Sequence, residues 1–230
     1  MFKTITEHHD FIVIDKDPNI NFHDEGDLGS GLFSEVKRQL QEKHNAAELY
    51  PVHRLDKMTS GLVIFAKNLA AAQTFGQLFS EHKIEKYYLA IADKKPSKKQ
   101  GLIKGDMSKS RRGMYKLLRS LENPAVTQFF SYSIANKKRL YLLKPHSGKT
   151  HQLRVAMTSL GAPIVGDSLY YSASDADRGY LHAYCLKFKY LEKDFEFISP
   201  PTIGEYYLSQ QVIEQLTQLK KPWQLNWPRL

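Results

Sequence analysis

The order of apolar segments predicts an α+β protein with a mixed, mainly antiparallel central sheet flanked by helices and loops. Two observations carry this prediction. Strand-like segments follow one another without an intervening helix across 126–144 and again across 180–198. A doubly wound sheet would instead alternate strand and helix. Helical periodicity appears in only four places, each short.

The strand segments are 11–15, 62–66, 87–92, 126–134, 140–144, 180–188 and 195–198, all rich in β-branched or aromatic residues and often alternating. Leu32, Val36 and Leu40 mark one face of a first helix. A second starts after Asn68, a good N-cap, and carries Leu69, Ala72, Phe75 and Phe79. A third places Leu153, Met157 and Leu160 on one side and stops at Gly161, which tolerates the left-handed backbone of a helix end. The fourth is predicted over 206–219. Beyond it, Trp223 and Trp227 stand between prolines in a tail that can pack back on the body.

With 230 residues, the chain is long enough for one domain or two closely packed subdomains. Its hydrophobic fraction of 42% excludes general disorder. No apolar run approaches the roughly twenty residues of a membrane span. Residues 1–10 are polar and partly acidic, unlike a secretory or transit signal, so a cytoplasmic address is the default. A single cysteine, Cys185, permits no intrachain disulfide or cysteine-based metal cluster and reads as a packed strand residue.

A net charge of +9 and a pI near 9.4 predict attraction to a polyanion, most commonly nucleic acid. Between 94 and 119 the charge is concentrated, including Lys109, Arg111, Arg112 and Lys116, with Asp106 the only acid. Glycines at 101, 105 and 113 predict a mobile loop or extended arm there. Met107, Met114 and Tyr115 are interleaved, suiting contact with bases or sugars while the cations meet phosphates. A merely solvated loop is the alternative.

Two dense polar runs carry the chemistry. The first is His53-Arg54-Leu55-Asp56-Lys57-Met58-Thr59-Ser60-Gly61; the second is Ser147-Gly148-Lys149-Thr150-His151-Gln152-Leu153-Arg154. An aspartate among apolar strands is costly to keep ionised without a cationic partner, and Arg154 is a natural one. Gly148-Lys149-Thr150 is not a nucleotide phosphate loop, because Leu143 stands where that loop needs its first glycine. The nine histidines match no metal-binding pattern of known spacing. Ser60 lacks the flanking glycines of a nucleophile elbow, and Thr59-Ser60-Gly61 reads as the turn into the strand at Leu62.

Taken together, the first run resembles the signature of the RluA-type pseudouridine synthase family, and further matches follow in order. Lys86-Tyr87-Tyr88-Leu89-Ala90 is similar to the family's Lys-x-Tyr-x-Ala strand, and Asn123-Pro124-Ala125-Val126-Thr127 to the segment before its next strand pair. The run 148–155 is similar to Gly-Arg-Thr-His-Gln-Ile-Arg-Val. Gly161-Ala162-Pro163-Ile164-Val165-Gly166-Asp167 with Tyr170 is similar to Gly-x-Pro-Ile-x-Gly-Asp-x-x-Tyr, and Leu181-His182-Ala183 to a late Leu-His-Ala strand. The chain departs from the pattern in two places. Lys16 is followed by Asp17-Pro18-Asn19 rather than Pro-x-Gly, and Ala156 replaces the usual histidine.

The resemblance implies the pseudouridine synthase fold and one catalytic domain over 1–230, with motifs within 10–200 and a C-terminal helix and tail over 204–230. Asp56 comes too early to leave room for an N-terminal S4-type RNA-binding domain, so a stand-alone catalytic domain is expected. The implied reaction isomerises uridine in ribosomal or transfer RNA, with the nucleotide flipped out of its stack. Neither cofactor nor metal is implied, and a monomer is the default. Asp56 is the implied essential carboxylate, as nucleophile at C1′ or base at C2′. Arg154 is its partner, expected to grip it bidentately, and Tyr88 lies against the uracil. Arg54 is implied to fill the vacated space. His53, Thr59, His151 and Gln152 surround the substrate loop, chiefly as hydrogen-bonders, while Lys109, Arg111 and Arg112 bind the backbone. Asp167 and Tyr170 read as architectural. A non-catalytic RNA-binding or ribosome-assembly module and a metal-dependent nuclease are the competing classes.

Overall fold

The computed structural model describes residues 1–44 and 48–230. In chain order the elements are β1 (Phe2–Glu7), β2 (Phe11–Lys16), α1 (Leu32–His44), β3 (Tyr50–Pro51), β4 (Ser60–Ala66), α2 (Leu69–Ser80), β5 (Glu85–Ala92) and β6 (Gln100–Gly105). There follow β7 (Met107–Lys109), β8 (Tyr115–Leu117), β9 (Ala125–Ser133), β10 (Arg139–Pro145), α3 (Gln152–Ser159), β11 (Leu181–Tyr190), β12 (Lys193–Ile198) and α4 (Gln210–Gln218).

The main sheet runs β1-β2-β4-β11-β5-β10-β9-β6, with β12 added to β11 and β3 to β4. Every pairing is antiparallel except the short one between β4 and β11. That parallel contact brings Gly61 opposite Ala183 so closely that a Cβ at Gly61 would lie 2.3 Å from the Ala183 carbonyl oxygen. Gly61 also has φ +107°. Only glycine fits both demands, and it joins the strand after the first polar run to the centre of the sheet.

Alternation along β4 then distributes the helices. Leu62, Ile64 and Ala66 pack with Ala71 and Phe75 of α2, while Val63 and Phe65 meet Leu32, Val36 and Leu40 of α1 on the opposite face. Leu153, Ala156 and Met157 of α3 join a third cluster with Leu89, Tyr141 and Val212 of α4. Ala156 is thus a core residue, where a small apolar side chain fits. Asn68 caps α2 by accepting from the Ala71 amide at 2.8 Å, and Gly161 ends α3 with φ +73°, both as predicted from sequence.

The structure differs from the sequence reading in three places. The region 94–119 takes the form of the arm and not of the loop, in strands that the sequence reading did not place: β6 pairs with β9 as an edge strand, and β7 and β8 form a separate hairpin whose tip is a 3₁₀ turn at Arg111–Gly113. Lysines and glycines, which lower strand propensity, are common on exposed edges where they discourage further pairing. The N-terminal segment forms β1, which borders β2. And α4 begins at Gln210, because Tyr207 is pulled into the core, where its hydroxyl donates to the Leu89 carbonyl at 2.9 Å. The tail packs back on the sheet, with Trp227 centred 4.8 Å from Phe130 and 5.8 Å from Tyr87.

Candidate active site

Asp56 lies in the loop between β3 and β4. Leu55 anchors that loop in the core, and the Thr59 amide closes it by donating to the Asp56 carbonyl at 3.0 Å. Lys16, at the end of β2, holds it from below. Its fully buried ammonium donates to the carbonyls of Asp17, Ile20 and Lys57 at 3.0, 2.9 and 3.1 Å. Burial, aided by repulsion from Arg178, pulls the Lys16 pKa down to about 7. The departure from Lys-Pro-x-Gly therefore leaves the lysine's grip intact, since backbone carbonyls satisfy it.

Arg154 stands in the first turn of α3 and faces two carboxylates. Its Nε and one terminal nitrogen donate to Asp167 Oδ2 and Oδ1, both at 2.8 Å, and the other terminal nitrogen donates to Asp56 Oδ2 at 3.2 Å. The bidentate grip expected for Asp56 thus belongs to Asp167. Asp167 is 0% exposed and also accepts from the amides of Leu169 and Tyr170, both at 3.1 Å. A carboxylate without water needs every such bond, whereas Asp56 keeps 24% of its side chain exposed. Burial opposes the charge of Arg154, but the two acids outweigh it and hold its pKa above the ordinary value. The result is a guanidinium locked from behind that offers one N–H to Asp56.

Tyr88 enters from β5. Burial, and secondarily the charge of Asp56, pushes its phenol pKa up, so the hydroxyl stays protonated. A cavity of about 470 Å³ is lined by Asp56, Tyr88 and Arg154 together with Arg54, Lys86 and Lys149. A second of about 460 Å³ lies on the other side of Arg54, Asp56 and Arg154 and reaches Asn21 and Lys57. Arg54 is exposed and forms part of both walls.

His151 precedes α3 with a left-handed backbone, φ +56°. Tyr170 OH accepts from the Tyr115 amide at 2.8 Å and has its own proton available for His151 Nδ1 at 3.0 Å. That arrangement leaves the imidazole proton on Nε2, 4.0 Å from Asp56 Oδ2. The Tyr170 ring also lies over Arg154, 5.0 Å from its guanidinium carbon. Through Tyr115 the basic hairpin is thereby connected to the site.

Other sequence candidates fall into two groups. His53 Nε2 accepts from the Ile64 amide at 2.9 Å, and burial drives its pKa down to about 3, so it is a neutral strut. Gln152 is buried and engages Ser147 Oγ, the Lys149 amide, the Val126 carbonyl and Thr127 Oγ1. With these bonds Gln152 shapes the loop at 147–149, and it also borders the larger cavity. Thr59 is buried but borders the larger cavity. Lys109, Arg111 and Arg112 line neither cavity and project from the hairpin beside the site.

Sequence reasoning read Asp167 as architectural without naming Arg154 as what it holds, and assigned no contact to Lys16 or Lys86. The signal for Asp167 was present: a buried arginine shared with a partly exposed acid is held more firmly by a second, buried one. Among the described residues, no group of three or more His, Cys, Asp or Glu side chains could hold a metal ion, and no helix is long and apolar enough to cross a membrane.

The fold defines the class. Over 96% of its length the chain superposes on 95% of human RNA Pseudouridylate Synthase Domain Containing 1, with a TM-score of 0.72 at 24% identity, a likeness of fold. The sequence carries the assignment further. The RNA pseudouridylate synthase family profile matches residues 10–159. An uncharacterized RNA pseudouridine synthase of Haemophilus influenzae is 47% identical over 223 residues, 96% of this chain and 97% of that one. Ribosomal large subunit pseudouridine synthase C of Rickettsia bellii is 38% identical over 128 residues, 54% of this chain and 42% of that one. The chain belongs to the RNA pseudouridylate synthase family, of the RluA type, and is an RNA pseudouridine synthase, an isomerase.

Proposed function

We propose that this enzyme converts particular uridines of structured ribosomal or transfer RNA to pseudouridine, with Asp56 as the essential carboxylate. It acts as a single catalytic unit over 1–230, as a cytoplasmic monomer. The observation that most supports the roles is the 3.2 Å contact between Arg154 and Asp56 in a cavity that Tyr88 also lines. Asp56 keeps oxygen lone pairs open to the cavity, as attack at C1′ or proton removal at C2′ requires. The reaction rearranges one nucleoside without redox change, so its chemistry calls for no cofactor.

The target carbon is unreachable inside a stacked helix, and the uridine flips out at a cost of a few kcal/mol. Its ribose meets Asp56 and its base lies against Tyr88, while Arg54, on the ridge between the two cavities, enters the space left behind. The basic hairpin holds the flanking phosphates.

RNA carrying tritium at uracil C5 tests this. The wild-type enzyme is expected to release tritium to water from intact chains, with excess chelator present. Binding without release would favour a non-catalytic module, and chelator-sensitive cutting a nuclease. The Rickettsia relative's name makes ribosomal RNA the first place to map pseudouridines in cells with and without the gene, with transfer RNA beside it.

Two variants refine the assignment. Tyr88→Phe is expected to bind RNA normally and lose about 10²-fold or more in rate, because a protonated phenol relays the C5 proton only through its hydroxyl; an unchanged rate would leave the ring as a stacking surface alone. Replacing Arg111 and Arg112 with Ala is expected to weaken RNA binding and reduce the slope of log affinity against log salt by about 1 to 2. Unaltered affinity and slope would return the hairpin tip to plain solvated surface.

A further inference from the structure

Side chains two apart on a strand share a face, so Lys86 and Tyr88 leave β5 on the same side, and both line the cavity that contains Asp56. Lys86 is half-buried in the cavity wall, and among the described residues its ammonium has neither a hydrogen bond nor an ion pair. The Phe79 ring centre lies 5.6 Å from Nζ, and a Cβ on Gly148 would lie 3.8 Å away. Burial pushes the Lys86 pKa down, with no opposing carboxylate. The nearby imidazoles add no positive charge, since burial above all keeps both His53 and His146 toward their neutral forms.

Other cations of the region are occupied or open to water. Lys144 pairs with Glu85 at 2.7 Å, Lys149 donates to the Asn123 carbonyl, Arg154 holds two acids, and Arg54 is exposed. An ammonium partly cut off from water, with only the weak attraction of the Phe79 ring, is better satisfied when something anionic arrives to meet it. Two residues along a strand span roughly 7 Å, so a base lying against Tyr88 brings its far edge toward Lys86.

Resting on the roles proposed for Asp56 and Tyr88, we infer that Lys86 is a catalytic residue whose ammonium stabilises the negative charge that develops on uracil when the glycosidic bond breaks. The N1–C1′ bond opens and its electron pair leaves with N1, delocalised onto O2 and O4. Lys86 donates a hydrogen bond to one of those oxygens and keeps its proton. After the ring turns, C5 uses a ring electron pair to bond C1′ while the Asp56–C1′ bond opens or C2′ takes its proton back, according to the route; the C5 proton leaves through the Tyr88 hydroxyl to water, and N1 takes up a proton. No net charge or oxidation state changes.

The test compares Lys86→Met, Lys86→Arg and Lys86→Ala in tritium release and RNA binding. Lys86→Met is expected to lower kcat by about 100-fold, with KM within about threefold of wild type and an unchanged salt slope. Its thermal midpoint should equal or exceed the wild-type value, because a desolvated charge is gone. Lys86→Arg should recover part of the rate, and Lys86→Ala should respond saturably to added ethylammonium. If Lys86→Met instead raises KM and flattens the salt dependence at unchanged kcat, Lys86 is a phosphate clamp and the inference falls. It falls equally if Lys86→Met behaves as wild type. Absence of release by the wild-type enzyme would remove the underlying assignment as well, so the two failures are distinct.

Discussion

Asp56→Asn is expected to lower turnover by at least about 10³-fold while leaving RNA affinity within about tenfold, or 1.4 kcal/mol, of wild type. The amide has the carboxylate's shape and can still accept from Arg154. It can neither attack C1′ nor take a proton at C2′. Stability should hardly change, because Arg154 keeps both of its 2.8 Å bonds to Asp167 when Asp56 becomes neutral. Tritium release, filter binding and a thermal melt on one preparation separate the three quantities. Near-wild-type turnover would remove Asp56 from the chemistry; equal losses of binding and rate would make it a substrate contact.

The second large effect falls on a residue that touches no substrate. Asp167→Ala should destabilise the protein by roughly 3–5 kcal/mol, the range for breaking a buried ion pair from one side. Arg154 would keep only Asp56 as an anionic partner, and the amides of Leu169 and Tyr170 would lose their acceptor. A guanidinium released from behind can turn both of its donor edges toward Asp56, covering the lone pairs that the reaction needs, so the remaining folded protein should be slow. Asp167→Asn retains an acceptor for the amides and should lie between the two. Denaturant unfolding and kcat measured well below the midpoint read the effects apart. A fully stable, fully active Asp167→Ala protein would mean that Arg154 is oriented by something else.

The strands that were readable in the sequence are those whose burial is simple. In β4 all seven residues are buried and those from Leu62 to Ala66 are apolar; in β10 five successive residues are buried between two neighbouring strands. The edge and hairpin strands β6, β7 and β8 were not readable, because Lys104, Lys109 and Lys116 report exposure rather than backbone conformation. The start of α4 was misplaced for a related reason. Tyr207 continues the helical periodicity on paper, and only its bond to the Leu89 carbonyl draws it out of the helix.

At the site, the first polar run drew attention to Asp56 and the second offered Arg154 as its counter-ion, while Tyr88 entered only through the family resemblance. The division of Arg154 between two acids was not accessible in that way. Which carboxylate receives the fork depends on which one is cut off from water, and 0% exposure for Asp167 against 24% for the Asp56 side chain is set by how β4, α3 and the loop after it pack together. The same holds for Lys86 and Lys16, two lysines that look alike as letters. One ends against three carbonyls and the other faces the cavity that Asp56 lines. Residue identity limits what a side chain can do, and the neighbours and water that folding leaves around it select among those possibilities.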